Sequence, residues 1–155
     1  MSKNKNNKAV WSLRIKKDSS SIFKKAGSSI NIDKRLFKED ILASTAHVEM
    51  LFKQKIISFK IKNKIIWGLN KIRNEIIKKK FNFKIEHEDI HMNIEKRLFD
   101  IIGDDAGFVH TARSRNDQVI TDFKLWLRKS TNEIVKLLNS SIKIILICAD
   151  KNIKT

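Results

Sequence analysis

An all-helical fold is the expectation for this chain, and three observations carry it. No proline occurs in 155 residues and only four glycines do, so few positions interrupt a helix. Apolar residues return at spacings of three and four in successive segments, which is the period of one helix face. The last such pattern runs from near Asn116 to about Lys151 without a breaker. With 41% hydrophobic residues the chain has enough apolar material for one core.

Residues 1–10 are basic and carry no apolar stretch of the kind a secretory signal needs. They read as a disordered, cytoplasmic N-terminus. Residues 11–106 read as a helical domain. Its first helix is expected from an Asp33 N-cap to about Lys53, with Phe37, Ile41, Ser44, Val48, Leu51 and Phe52 near one face. A second, in "NKIIWGLNKIRNEIIKKK", repeats Ile65, Leu69, Ile72 and Ile76 with lysines opposite and in its last turn. A third, in "HEDIHMNIEKRLFDIIG", has Ile90, Ile94, Leu98 and Ile101 as its buried stripe and Gly103 as its stop. "GDDAGFVHTARSR" reads as a loop. The helix that follows opens a second region, residues 107–155. It has roughly 35 residues, about 50 Å at 1.5 Å per residue, and outruns a globule of this size. Its "SIKIILICA" stretch is apolar nearly all round, so it needs burial in a larger body. Either obligate oligomerisation or a longer chain of which this is the front part supplies that.

The formal net charge of +16 raises nucleic acid as a partner. The 33 basic residues, however, are 26 lysines and 7 arginines, spread from Lys3 to Lys154 among excess isoleucine, asparagine and phenylalanine. Codon drift toward A+T accounts for all four residue types, whereas a phosphate-binding surface accounts for lysine alone. Composition therefore argues against a nucleic-acid partner. One cysteine, Cys148, excludes an intramolecular disulfide and suits a reducing compartment. The longest apolar runs, "IIWGL" and "IILICA", fall well short of the roughly 20 residues of a membrane span.

His87-Glu88-Asp89-Ile90-His91 matches H-E-x-x-H, in which two histidines one helical turn apart bind zinc beside a glutamate base. A zinc-dependent hydrolase is thus one alternative function, and a basic helical nucleic-acid-binding protein is another. Only His110 lies downstream as a third ligand, and the apolar stripe places His91 beside the buried face. His47 is given no role. "HTARSRNDQV", residues 110–119, is densely polar: Arg113 and Arg115 carry planar donor forks suited to carboxylates, Ser114 adds a donor, and Asn116 both donates and accepts. Placed before a long helix, these groups make a receptacle for an anion. Pairing of the arginines with Asp104, Asp105 or Asp117 in a structural loop stands beside that reading.

"HTARSRNDQVITDFKLWLR" resembles the signature segment of the argininosuccinate lyase family, within the fumarase and aspartase superfamily. "SSINIDKRLFKEDILASTAHVEML" resembles that family's early serine-containing segment and first helix, and "EDIHMNIEKRL" its acid and histidine helix. Trp11 and Arg14 sit where the family begins Trp-Gly-Gly-Arg-Phe, with Ser12-Leu13 in place of Gly-Gly and Ala26-Gly27 in place of Phe-Asn. The likeness covers Trp11 to the last residues and matches the N-terminal portion of such a lyase. It implies an all-α, fumarase/aspartase-like fold in which residues 107–155 begin a central helical bundle. It also implies cleavage of argininosuccinate to arginine and fumarate in arginine biosynthesis, by a homotetramer using neither metal nor organic cofactor. Ser29 and Asn116 would contact substrate with Ser114, Arg113 and Arg115, while Asp89 and His91 shape the site. The family's later histidine segment and its mobile loop, which supply proton transfer, have no counterpart here. The catalytic residues are therefore unassigned and expected beyond Thr155, and the chain alone is expected to be inactive. The same family includes lens crystallins, a role against which this composition argues.

Overall fold

The structure, a computed structural model, describes residues 26–153. The basic stretch 1–10, the positions Trp11 to Arg14 and, at the other end, Thr155 lie outside them. Among the described residues there is no strand. In chain order come the helices α1 (Ile30–Asp33), α2 (Phe37–Lys53), α3 (Phe59–Ile77), α4 (Ile90–Ile102) and α5 (Arg115–Lys151). Tight 3-10 turns at Lys34–Leu36, Ile85–His87 and Gly103–His110 join them.

The apolar periodicity predicts the packing well. Ile41, Val48 and Leu51 of α2, Ile65, Leu69 and Ile72 of α3, and Ile90, Ile94 and Leu98 of α4 form a single buried core. Each large aliphatic side chain buried there contributes roughly 1.5 to 3 kcal/mol. At Gly68 the absence of a side chain lets α3 meet α4 closely, since a Cβ there would lie 2.5 Å from Leu98 Cδ1. A fork of two hydrogen bonds from Arg97 to Glu75, 2.8 and 2.9 Å, ties the same two helices at their rim.

Five sequence expectations are corrected. Asp33 does not cap the first long helix: it ends α1, where its carboxylate accepts from Ser29 Oγ at 2.5 Å, and the chain turns once more before α2. The second helix begins earlier than its pattern suggested, because Ser58 Oγ accepts from the Ile61 amide and caps it. Its lysines 78–80 lie past its end, where Lys79 takes a left-handed φ of 55°. In α4 it is Ile102, not Ile101, that completes the buried stripe. Finally, the segment after Gly103 is a run of 3-10 turns, because Ala106 and Val109 turn inward and are buried. Gly103 itself ends α4 with φ 73° and ψ −149°, a combination open in practice only to glycine.

α5 has 37 residues, about 55 Å. Only its first turns pack on the rest, with Gln118 and Asp122 buried. From Thr131 to Ile153 every residue is exposed. Leu137, Ile145 and Leu146 are 69%, 65% and 63% exposed, so the chain leaves its most apolar helix segment uncovered, as its composition required.

Candidate active site

Two loops and one helix start converge. Asp89 begins α4 with its side chain accepting from the Met92 amide at 2.7 Å, which satisfies one of the free N–H groups of the first turn. Just before it, Glu88 holds a left-handed φ of 56°. That bend presents the Glu88 carbonyl to three donors: the Ser29 amide at 2.9 Å, the Ile30 amide at 3.1 Å and Ser28 Oγ at 3.0 Å. The Ser28-Ser29 segment is thereby fastened beside Asp89. Asn93 secures the same loop from below, bonding both backbone groups of Lys84 and the Asp89 carbonyl.

The third component is the start of α5. Ser114 is its N-cap, with Oγ accepting from the Asn116 amide at 3.3 Å. Ala112 reverses the chain ahead of it with φ 54°, and the Thr111 carbonyl lies 2.9 Å from His47 Nε2. Arg115 donates from Nη2 to Glu95 Oε2 at 3.0 Å and from Nη1 to Gln118 Oε1 at 3.0 Å, and its Nε lies 3.7 Å from Asp89 Oδ2. Its acidic partners therefore belong to α4 and its cap, and are not the Asp104, Asp105 or Asp117 that proximity in sequence suggested. Each terminal nitrogen of Arg115 keeps a second N–H. Asn116 is exposed, and its side chain makes no hydrogen bond among the described residues. The structure thus brings Ser29, Asp89 and Arg115 to one surface, with Ser114 and Asn116 flanking Arg115 in the chain at the helix start. Arg113 does not join them. Its Nη1 donates to the buried Ser44 Oγ at 3.0 Å, which draws it under the loop. The proton-transfer groups expected beyond Thr155 fall outside the described residues, the last of which is Ile153.

Beneath this surface lies a buried polar cluster that periodicity gave no reason to expect. His91 Nδ1 donates to Asp40 Oδ1 at 2.8 Å, Gln118 Nε2 donates to the same oxygen at 2.6 Å, and Asp122 Oδ2 lies 3.4 Å from His91 Nδ1. Burial opposes the charge of both His91 and Asp40, but their hydrogen bond and mutual attraction outweigh it. His91 is raised and Asp40 lowered. Asp122 is pushed up to about 8, first by burial and then by the Asp40 charge. The shifts favour the charged forms of His91 and Asp40 and the neutral form of Asp122, which keeps its proton at neutral pH. The signal available in the sequence was weak: Asp40 and Asp122 sit on apolar faces, where an acid is rarely buried without a partner.

Asp40, His91 and Asp122 offer ligand atoms within 4.8 Å of one another, the one grouping among the described residues with the donor set for a metal ion. The His91 nitrogen in that set already donates to Asp40. The H-E-x-x-H reading fails on geometry. His87 ends a 3-10 turn, Glu88 bends the chain out of helix, and only His91 lies on α4. His87 lines a separate cleft of about 340 Å³ with Lys84, Asn93 and Lys96. Its pKa is lowered, by burial first and by the neighbouring Lys84 charge.

The family model described as lyase matches residues 13–155. Argininosuccinate lyase of Pelagibacter ubique is 68% identical over all 155 residues, which make up 34% of that protein. Argininosuccinate lyases of Ehrlichia chaffeensis and Campylobacter jejuni are 49% and 48% identical over 94% of this chain, covering 31% and 32% of their own lengths. The chain spans about a third of the length of the curated relatives it matches.

Proposed function

The chain belongs to the lyase family whose model it matches, and from that premise we propose that it forms part of an enzyme that splits argininosuccinate into arginine and fumarate. In this β-elimination a base takes the proton beside a carboxylate, the electron pair is held as an aci-carboxylate, and an acid protonates the departing guanidino nitrogen. Negative charge therefore gathers on carboxylate oxygens. Donors fixed in place before the reaction stabilise that charge best. Arg115 fits the need: two of its nitrogens are anchored, and each keeps a second N–H. Asn116 and Ser29 would add contacts to the same substrate, with Ser114 holding the helix start. Asp89 and His91 shape the surroundings. Arg113, turned toward Ser44, would support the loop from within.

The proton-transfer groups would come from segments beyond Thr155, outside this sequence, and neighbouring subunits of a homotetramer would complete each site. In that reading residues 107–155 start the central bundle, and the enzyme is cytoplasmic and serves arginine biosynthesis. Among the described residues no helix is long and apolar enough to cross a membrane.

The observation that carries the proposal is the convergence of Ser29, Asp89 and Arg115 with an exposed, unengaged Asn116. Asn116→Ala in the whole enzyme tests it. A hydrogen bond to a charged group contributes roughly 1.5 to 3 kcal/mol, so turnover should fall at least tenfold, with a stability change within about 0.5 kcal/mol. An unchanged kcat/KM would remove Asn116 from the site.

A further inference from the structure

A polar chain runs inward from the proposed carboxylate-binding arginine. Arg115 Nη1 donates to Gln118 Oε1 at 3.0 Å, Gln118 Nε2 donates to Asp40 Oδ1 at 2.6 Å, and that oxygen also accepts from His91 Nδ1 at 2.8 Å. Gln118 is 1% exposed. An arginine offers only donors and an ionised carboxylate only acceptors, so the amide between them has one orientation open to it. Turning it over would break both bonds inside the protein.

The other two anchors of Arg115, Glu95 and Asp89, are both acids of α4 and its cap. Two carboxylates already lie beside one guanidinium. A third in the position of Gln118 would repel an anionic substrate, whereas an amide holds Nη1 without adding charge. Among the described residues, Gln118 is also the only partner of Arg115 that bonds to the buried cluster.

We propose that Gln118 is a positioning residue whose clamped amide aims the Arg115 guanidinium and ties that aim to the buried Asp40 and His91 pair. The proposal rests on the reading of Arg115 as a group for the substrate carboxylate. Gln118 touches no reacting atom itself. One helical turn links it to Arg115, so the beginning of α5 sets residue and anchor at a fixed spacing.

The test is made in the whole active enzyme with two variants. Gln118→Met keeps the length of the side chain and removes both bonds. It should lower kcat/KM at least tenfold and leave Arg115 rotated or in several conformers in a crystal structure. Arg115→Lys alone should cost as much as Arg115→Lys combined with Gln118→Met, because the second change then has nothing left to misplace. A purely structural role for Gln118 would add its cost to both backgrounds. An Arg115 that keeps its place in Gln118→Met overturns the proposal whatever the activity. An Arg115 that moves while kcat/KM stays within twofold overturns it too, and also removes Arg115 from substrate binding. Should Gln118→Met not fold, Gln118→Glu decides. It keeps the side-chain length and an acceptor for Arg115, but beside the buried Asp40 carboxylate its second oxygen can bond only while it holds a proton, so kcat/KM should fall with rising pH more steeply than in the wild type as that proton is lost, and a wild-type pH profile overturns the proposal.

Discussion

Replacing Asp122 by asparagine should make this protein more stable, and more so as the pH rises. Asp122 is fully buried and its carboxyl is held up to about 8, against 3.8 for the ordinary group. Below 3.8 the folded and unfolded chains both keep its proton. Between 3.8 and about 8 the unfolded chain releases it and the folded chain does not, so stability falls by about 1.36 kcal/mol per pH unit. The accumulated loss is about 4 kcal/mol at pH 7 and about 6 kcal/mol above pH 8. Asp122→Asn keeps the shape of the neutral acid and has no proton to lose. Rearranging one buried hydrogen bond costs about 1 kcal/mol, which leaves a net gain of about 3 kcal/mol at pH 7. Asp40, lowered in the fold, contributes stability above 3.8 that is lost as pH falls through its folded pKa. His91, raised, contributes stability below 6.5 that is lost as pH rises through its folded pKa. Both remain in the variant, so they largely cancel in the comparison. Urea unfolding at a fixed protein concentration from pH 5 to pH 9 is the assay. With an m-value of about 2 kcal/mol per molar, the midpoint should rise by about 1.5 M at pH 7 and by more at pH 9. Parallel midpoint curves for the two proteins would refute a neutral Asp122.

Two further outcomes follow from the packing. The chain purified by itself should self-associate, because Leu137, Ile142, Ile144, Ile145, Leu146 and Ile147 surround the exposed end of α5 and are each more than half exposed. Covering such a side chain contributes about 1 to 2 kcal/mol, so sedimentation across a concentration series should show species heavier than 18.1 kDa; a single monomer throughout would count against it. Gly68→Ala should destabilise the protein by about 1 to 3 kcal/mol, since the new methyl would meet the fully buried Leu98 at 2.5 Å, and an unchanged thermal midpoint would show that α3 and α4 can separate at little cost.

The sequence by itself determined the helices and their inward faces. Ile65, Leu69 and Ile72, or Ile90, Ile94 and Leu98, repeat at the helical period, and that periodicity is a local property that any core must respect. The uncovered apolar end of α5 was legible for the same reason, since no single partner surface covers a helix that is apolar all round. The polar segment from Arg113 to Asn116 was legible as a dense set of hydrogen-bonding groups, and a resemblance pointed to the lyase family. Tertiary structure alone decided which polar groups meet. Asp40, His91, Gln118 and Asp122 lie on three helices and are up to 82 positions apart, so no spacing rule connects them. Arg113 and Arg115 look alike in sequence, yet one bonds to Ser44 and the other to Glu95 and Gln118. The H-E-x-x-H spacing presumed a continuous helix, and the left-handed backbone at Glu88 ended it. Apolar burial is nondirectional and leaves a periodic trace along the chain, whereas a hydrogen bond or an ion pair needs two particular atoms within about 3 Å, and only the folded chain sets that distance.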